Sequence, residues 1–153
     1  MRLVIQRVKE ASVTIDGKVV SAIGQGLFIL VGVENGDTEA DMEWLAAKAA
    51  GLRIFNDGDG VMNRSVVDVD GQLLAVSQFT LTASTKKGNR PSYIRAAGHE
   101  LAVPLYDKFC VRLSEIAGRL VQKGVFGADM QCALINDGPV TIIIDSRRSQ
   151  NCV

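Results

Sequence analysis

Leu27-Phe28-Ile29-Leu30-Val31 is an unbroken run of apolar, strand-favouring residues. A strand with one wet face alternates apolar and polar side chains, and this run does not. It reads as a strand buried on both faces, which requires a covering layer on each side. The fold must supply those layers.

The rest of the chain offers them. Residues 2–8 alternate, Ser12-Val13-Thr14-Ile15 continue the pattern, and Asp16-Gly17 marks a hairpin before Lys18-Val19-Val20. Arg53-Ile54-Phe55 reads as a short strand, Leu73 to Leu81 as a longer one, and Met130 to Ile135 and Val140 to Ile144 as a closing pair. Two stretches carry helical spacing. Met42, Leu45, Ala46 and Ala49 recur three and four apart over about 38–50, after an Asn35-Gly36 turn, with Asp37 or Thr38 placed to cap. Leu105, Phe109, Leu113 and Ile116 form the inward face of a helix expected to begin near Pro104, as a first-turn residue, and to run to about Val121. Strand runs outnumber helices, and several strands separate the two helices. That predicts an α/β fold of sheet layers with helices packed on one face. Neither a repeat nor a linker divides the chain, and Ser146 to Val153 is expected to be a loose polar tail.

At 153 residues the chain fits one domain that can bury a core without disulfides or metals. Lys+Arg and Asp+Glu balance at 17 each, so no global charge draws it to nucleic acid or a membrane surface. RNA contact would need local clustering, and the near-zero net charge favours association with further copies. Cys110, Cys132 and Cys152 are odd in number and widely spaced, which argues against a disulfide framework or zinc site. Cys110 and Cys132 read as small core residues and Cys152 as a free thiol. The loop Asn56-Asp57-Gly58-Asp59-Gly60 lacks calcium-loop spacing and the late Glu, so neither metal nor cofactor is expected. The longest apolar run, Leu27 to Val33, is too short to span a bilayer, and residues 1 to 8 do not form a signal peptide. A reducing cytoplasm is the expected setting.

Two polar stretches interrupt the strands. Ser77-Gln78-Phe79-Thr80-Leu81 offers a hydroxyl, an amide, an aromatic ring and a second hydroxyl. It reads either as a plain alternating strand or as a site in which Phe79 stacks on a base and the Phe79 and Thr80 N–H groups stabilise an oxyanion. Thr80 has no His near it in sequence, so an activated nucleophile is poorly supported. Asn136-Asp137-Gly138-Pro139-Val140-Thr141 reads as a tight turn, although a cis Gly138-Pro139 bond would turn both carbonyls one way and make a rigid backbone wall. Between Gly71 and His99 there is no carboxylate, while Lys86, Lys87, Arg90 and Arg95 fall there. That loop is either simply solvated or follows a phosphate backbone. Arg7 lies in an apolar strand: facing inward it needs backbone carbonyls and can hold a loop, and at an exposed edge it needs nothing. The lone His99 reads as a surface or capping residue rather than a general base.

Taken in order, Gln6-Arg7-Val8, Ala11-Ser12-Val13, Leu52-Arg53-Ile54-Phe55, Ser77 to Leu81, Lys87-Gly88-Asn89-Arg90-Pro91-Ser92, Gly124 to Met130 and Asn136 to Thr141 resemble the D-aminoacyl-tRNA deacylases. The likeness spans residues 1–145 as one domain and leaves the 146–153 tail outside it. It implies a three-layer sandwich with two main helices on one face, and a homodimer with active sites at the subunit interface. The implied partner is tRNA carrying a D-amino acid, and the implied reaction is ester hydrolysis. Ser77, Gln78, Phe79 and Thr80 would be catalytic, with Phe79 at the adenine, and the other subunit's Gly138 and Pro139 would reject L-amino acids. Arg7, Met130, Asn136 and Thr141 would support the site, and Lys86, Lys87 and Arg90 would hold tRNA. Glycine lacks a Cβ for such a wall to reject, so glycyl-tRNA is an expected substrate too. Two rivals remain: a hydrolase with Thr80 as covalent nucleophile, and a non-catalytic nucleic-acid-binding module.

Overall fold

Strand β3 (Gly26–Gly32) lies between two separate cores, as its composition demands. Leu27, Ile29 and Val31 point into one, and Phe28 into the other. The computed structural model describes residues 1–149. β1 (Arg2–Ile15) and β2 (Lys18–Ile23) form the predicted hairpin, turning through Asp16 and Gly17 at φ 50° and 76°. β3 pairs antiparallel with β1 and parallel with β6 (Gln72–Ser77), which pairs parallel with β7 (Val121–Lys123). Between them, β4 (Phe55–Asn56) and β5 (Met62–Arg64) make a small separate hairpin.

The layering comes from β1 and the last strand, β8 (Gln131–Asp145), which are long enough to serve twice. Residues 2–6 of β1 pair with 141–145 of β8, and residues 10–14 pair with 131–135. The register breaks in between, and a break of that kind flips which face a side chain takes. Leu3 and Ile5 therefore join the core under the helices, whereas Val8, Ala11 and Val13 meet Phe28, Leu74 and Val76 in the second core. Helices α1 (Glu39–Gly51) and α2 (His99–Ala117) cover the first core. The result is the expected three-layer α/β sandwich with both main helices on one face. None of the described helices is long and apolar enough to cross a membrane.

Several boundaries differ from expectation. α1 keeps its predicted face, and Thr38 caps it through a reciprocal pair with Asp41. α2 begins at His99, not near Pro104, because the Gly98 carbonyl accepts the N–H groups of Leu101 and Ala102 at 3.1 and 2.9 Å. Pro104 is then inside the helix, and Gly118 in the left-handed region stops it at Ala117, so Val121 belongs to β7. Leu105, Phe109 and Leu113 are buried, but the next buried position is Ala117 and Ile116 is exposed. The strand expected over 53–55 forms at Phe55–Asn56. β6 stops at Ser77, and Phe79–Thr82 coil into a 3-10 turn. The two closing strands are one, β8.

Cys110 is buried, and burial pushes its thiol up to about 11. Cys132, expected in the core, is exposed because it lines a cleft. Ser146–Ser149, expected as loose tail, form the turn α3. The Ser146 N–H donates to the Met1 carbonyl at 3.0 Å, and Arg147 pairs with Glu34 and Asp37 at 3.1 and 3.2 Å. Residues 150–153, including Cys152, lie outside the described residues.

Candidate active site

The chain turns sharply where β6 ends. The Gln78 N–H still donates to the Val31 carbonyl at 2.7 Å, as a strand residue would. The Leu81 N–H then bonds back to the Gln78 carbonyl at 3.3 Å and the Ala83 N–H to the Thr80 carbonyl at 3.1 Å. The N–H groups of Phe79 and Thr80 are left without an acceptor inside the turn. Gly32 makes this packing possible: a Cβ there would stand 2.9 Å from the Leu81 Cβ and 3.2 Å from the Gln78 carbonyl oxygen.

The turn forms one wall of a cleft of about 610 Å³. Ser77, Gln78, Phe79, Phe126, Asp129 and Met130 line it, with Tyr106 also contributing. Phe79 is 56% exposed and meets Tyr93 edge to face at 5.0 Å. The Gln78 side-chain amide donates to the Thr80 hydroxyl, so a neighbour occupies that hydroxyl as an acceptor. Tyr106 donates to the Ala75 carbonyl at 2.9 Å, and burial raises its phenol far above neutral pH. It cannot serve as a base there. Sequence reasoning missed Tyr106, Phe126 and Tyr93 as parts of this region. It read His99 as a surface residue, and the ring is exposed, but it also lines the cleft, edge-on to Phe126 at 5.4 Å.

The second polar stretch lies elsewhere. Asn136 pairs with Val8 and Thr141 with Gln6, so the four residues 137–140 bulge from the ladder opposite Arg7 alone. Arg7 is 7% exposed and faces inward. Its Nε donates to the Asp137 carbonyl at 2.8 Å and its Nη1 to the Ile54 carbonyl at 2.7 Å, tying the bulge to the segment that leads into β4. Asn136 fastens the other side: its Oδ1 accepts the Val140 N–H at 2.7 Å, and its Nδ2 donates to the Thr141 hydroxyl at 3.1 Å. Gly138 has φ 144°, where a Cβ would meet Val140 Cγ2 at 2.8 Å and Arg7 Nη2 at 3.1 Å. The Gly138-Pro139 bond is cis. Neither residue lines the cleft of its own chain.

Lys86, Lys87 and Arg90 are exposed on a loop closed by the paired backbones of Ser84 and Ser92, at 2.9 Å in both directions. No ion pair among the described residues engages these three.

Residues 4–145 match the family model described as D-Tyr-tRNA(Tyr) deacylase. The chain belongs to this family. A Porphyromonas gingivalis protein named D-aminoacyl-tRNA deacylase is 60% identical over 150 residues, covering 98% of this chain and all of that one. A protein of the same name from Parabacteroides distasonis is 58% identical over the same share. Among solved structures, one described as a c-Myc DNA unwinding element binding protein superimposes with a TM-score of 0.89 at 40% identity, covering 95% of this chain and 98% of that one. Another, described as a probable eukaryotic D-amino acid tRNA deacylase, has a TM-score of 0.79 at 16% identity over 94% of this chain and 97% of its own. That likeness speaks for the fold alone.

Proposed function

We propose that this protein is an aminoacyl-tRNA editing hydrolase that cleaves the ester of D-aminoacyl-tRNA to free amino acid and tRNA. It acts on glycyl-tRNA as well and spares L-aminoacyl-tRNA. Family membership supports the deacylase activity. What supports the mechanism is the cleft that holds Ser77, Gln78, Phe79 and Met130 while two backbone N–H groups stand free within the adjoining turn. An aminoacyl ester is already reactive, so attack by water needs mainly positioning and oxyanion stabilisation, and one donor supplies about 3–4 kcal/mol of the latter. The exposed Phe79 ring stacks on the terminal adenine, and the exposed Lys86, Lys87 and Arg90 hold phosphates.

Selection falls to Gly138 and Pro139, braced by Arg7, Asn136 and Thr141. That bulge stands outside the cleft of its own chain, which supports a homodimer in which a second copy brings it there. The bulge presents backbone to the acyl group and excludes by collision with an L-configured Cβ. Such a wall has nothing to strike in glycine.

The test is to incubate purified protein with D-tyrosyl-tRNA and L-tyrosyl-tRNA, with the acyl group labelled. Release of D-tyrosine alone, with no label on protein, is expected. Label retained on protein would support Thr80 as a covalent nucleophile, and release from neither ester would leave a nucleic-acid-binding module.

A further inference from the structure

The 3-10 turn is gripped at its carbonyl end by two arginines to which sequence reasoning gave no part in the chemistry. Arg2, at the start of β1, donates from Nη1 to the Leu81 carbonyl. Its Nε and Nη2 both donate to Asp145 Oδ2, at 3.0 and 2.7 Å. Arg95 donates from Nη2 to the Thr82 carbonyl at 3.3 Å and stands 3.3 Å from Glu34 Oε1. Glu34 is 4% exposed, and its other oxygen lies 3.1 Å from Arg147 Nη1. The two grips share a plan and differ in detail: Asp145 accepts hydrogen bonds from Arg2, whereas Glu34 Oε1 stands beside Arg95 as an ion pair without a hydrogen bond, and each guanidinium donates to a carbonyl of the turn. Each cation has an anionic partner, so what it delivers to the turn is geometry more than net charge.

A four-residue turn has few hydrogen bonds of its own, and theirs are poorly aligned. The direction of its leading N–H groups therefore depends on what holds its trailing carbonyls. Thr82 is fully buried and donates its hydroxyl to the Phe79 carbonyl at 2.8 Å, so the grip on Thr82 passes one step to Phe79. We infer that Arg2 and Arg95 are positioning residues for ester hydrolysis, holding the turn so that the Phe79 and Thr80 N–H groups stay aimed at the cleft. The inference rests on the proposed oxyanion role of those two groups. Arg95 has a competing role to be tested against, because half its side chain is exposed beside the basic loop and could touch RNA directly.

The experiment uses Arg95→Ala, Arg95→Lys and Glu34→Gln in the full-length protein. It reads kcat and KM on D-tyrosyl-tRNA at several salt concentrations, together with amide hydrogen exchange at Leu81 and Ala83, whose N–H groups close the turn. Arg95→Ala should lower kcat about tenfold to a hundredfold, since small misplacements cost that much, with KM and its salt slope little changed. Exchange at Leu81 and Ala83 should quicken, and Arg95→Lys should recover part of kcat. Glu34→Gln keeps Arg95 but frees its guanidinium, so it should lose kcat in the same direction even if Arg95→Ala does not fold. Unchanged kcat and exchange in folded Arg95→Ala would overturn the inference. So would a raised KM with a flattened salt slope, the signature of a direct phosphate contact. A wild-type protein inactive on D-tyrosyl-tRNA overturns the deacylase reading itself and this inference with it. Active wild type with indifferent variants overturns this inference alone.

Discussion

Arg7 is the residue at which sequence and site meet most directly. A guanidinium inside an apolar strand is costly to desolvate unless its donors are matched, and two backbone carbonyls match this one. The same reasoning applies to Arg2, five positions earlier in the strand, where the partners are Asp145 and Leu81. Thr80 illustrates the opposite case, a hydroxyl next in sequence to the cleft-lining Phe79 with nothing to activate it. Its neighbour in the structure is the Gln78 amide, which donates to it and cannot take its proton. Thr80→Ala should therefore keep substantial activity on D-aminoacyl-tRNA. A loss beyond about a thousandfold in kcat/KM would contradict a mechanism built on backbone N–H groups, which remain in the variant.

Among the elements, those with an unambiguous pattern were legible. The doubly buried β3, the face of α1 and the β1–β2 hairpin follow from apolar spacing and turn residues alone. The strand expected to continue through Leu81 was not legible as a turn, because Phe79 and Leu81 alternate with Gln78 and Thr80 as strand residues do. What ends β6 is tertiary: Gly32 admits the turn, and Arg2 and Arg95 hold it. The cleft was half legible. Ser77 to Phe79 and Met130 were marked by their motifs, although Thr80 from the same motif does not line the cleft, whereas Tyr106 reaches it from a helix face that reads only as core. Two outcomes belong at this scale. Neutralising Lys86, Lys87 and Arg90 together should raise KM and flatten its salt dependence with kcat nearly unchanged, and an unaltered slope would return the loop to solvent. The second concerns Asp145. Burial favours its neutral form, but hydrogen bonds from the Arg2 side chain and the Arg147 N–H outweigh that and hold its carboxyl below the usual carboxylate range. Its folded pKa is thus below its unfolded value of about 3.9, so its stabilisation is complete above that pH and is lost as pH falls through the lowered value. The stability gap between wild type and Asp145→Asn should close in acid, and a gap constant down to about pH 2 would contradict the pairing.

For the whole molecule, the separation of the two motifs matters most. The turn that would stabilise the oxyanion and the bulge that would judge chirality occupy different parts of one chain, so the proposed mechanism calls on a second copy to join selection to chemistry. Arg7 and Asn136 brace the bulge from within, which suits a surface proposed to work by refusing entry. Attraction to a single methyl group discriminates by only about 1–3 kcal/mol, whereas a fixed backbone can reject it far more strongly. The most direct measurement compares glycyl-, D-alanyl- and L-alanyl esters on one tRNA body at equal enzyme concentration. Exclusion by the Gly138-Pro139 backbone predicts release of glycine and D-alanine while L-alanyl-tRNA survives. Resistance of the glycyl ester, or release of L-alanine at a comparable rate, would contradict it.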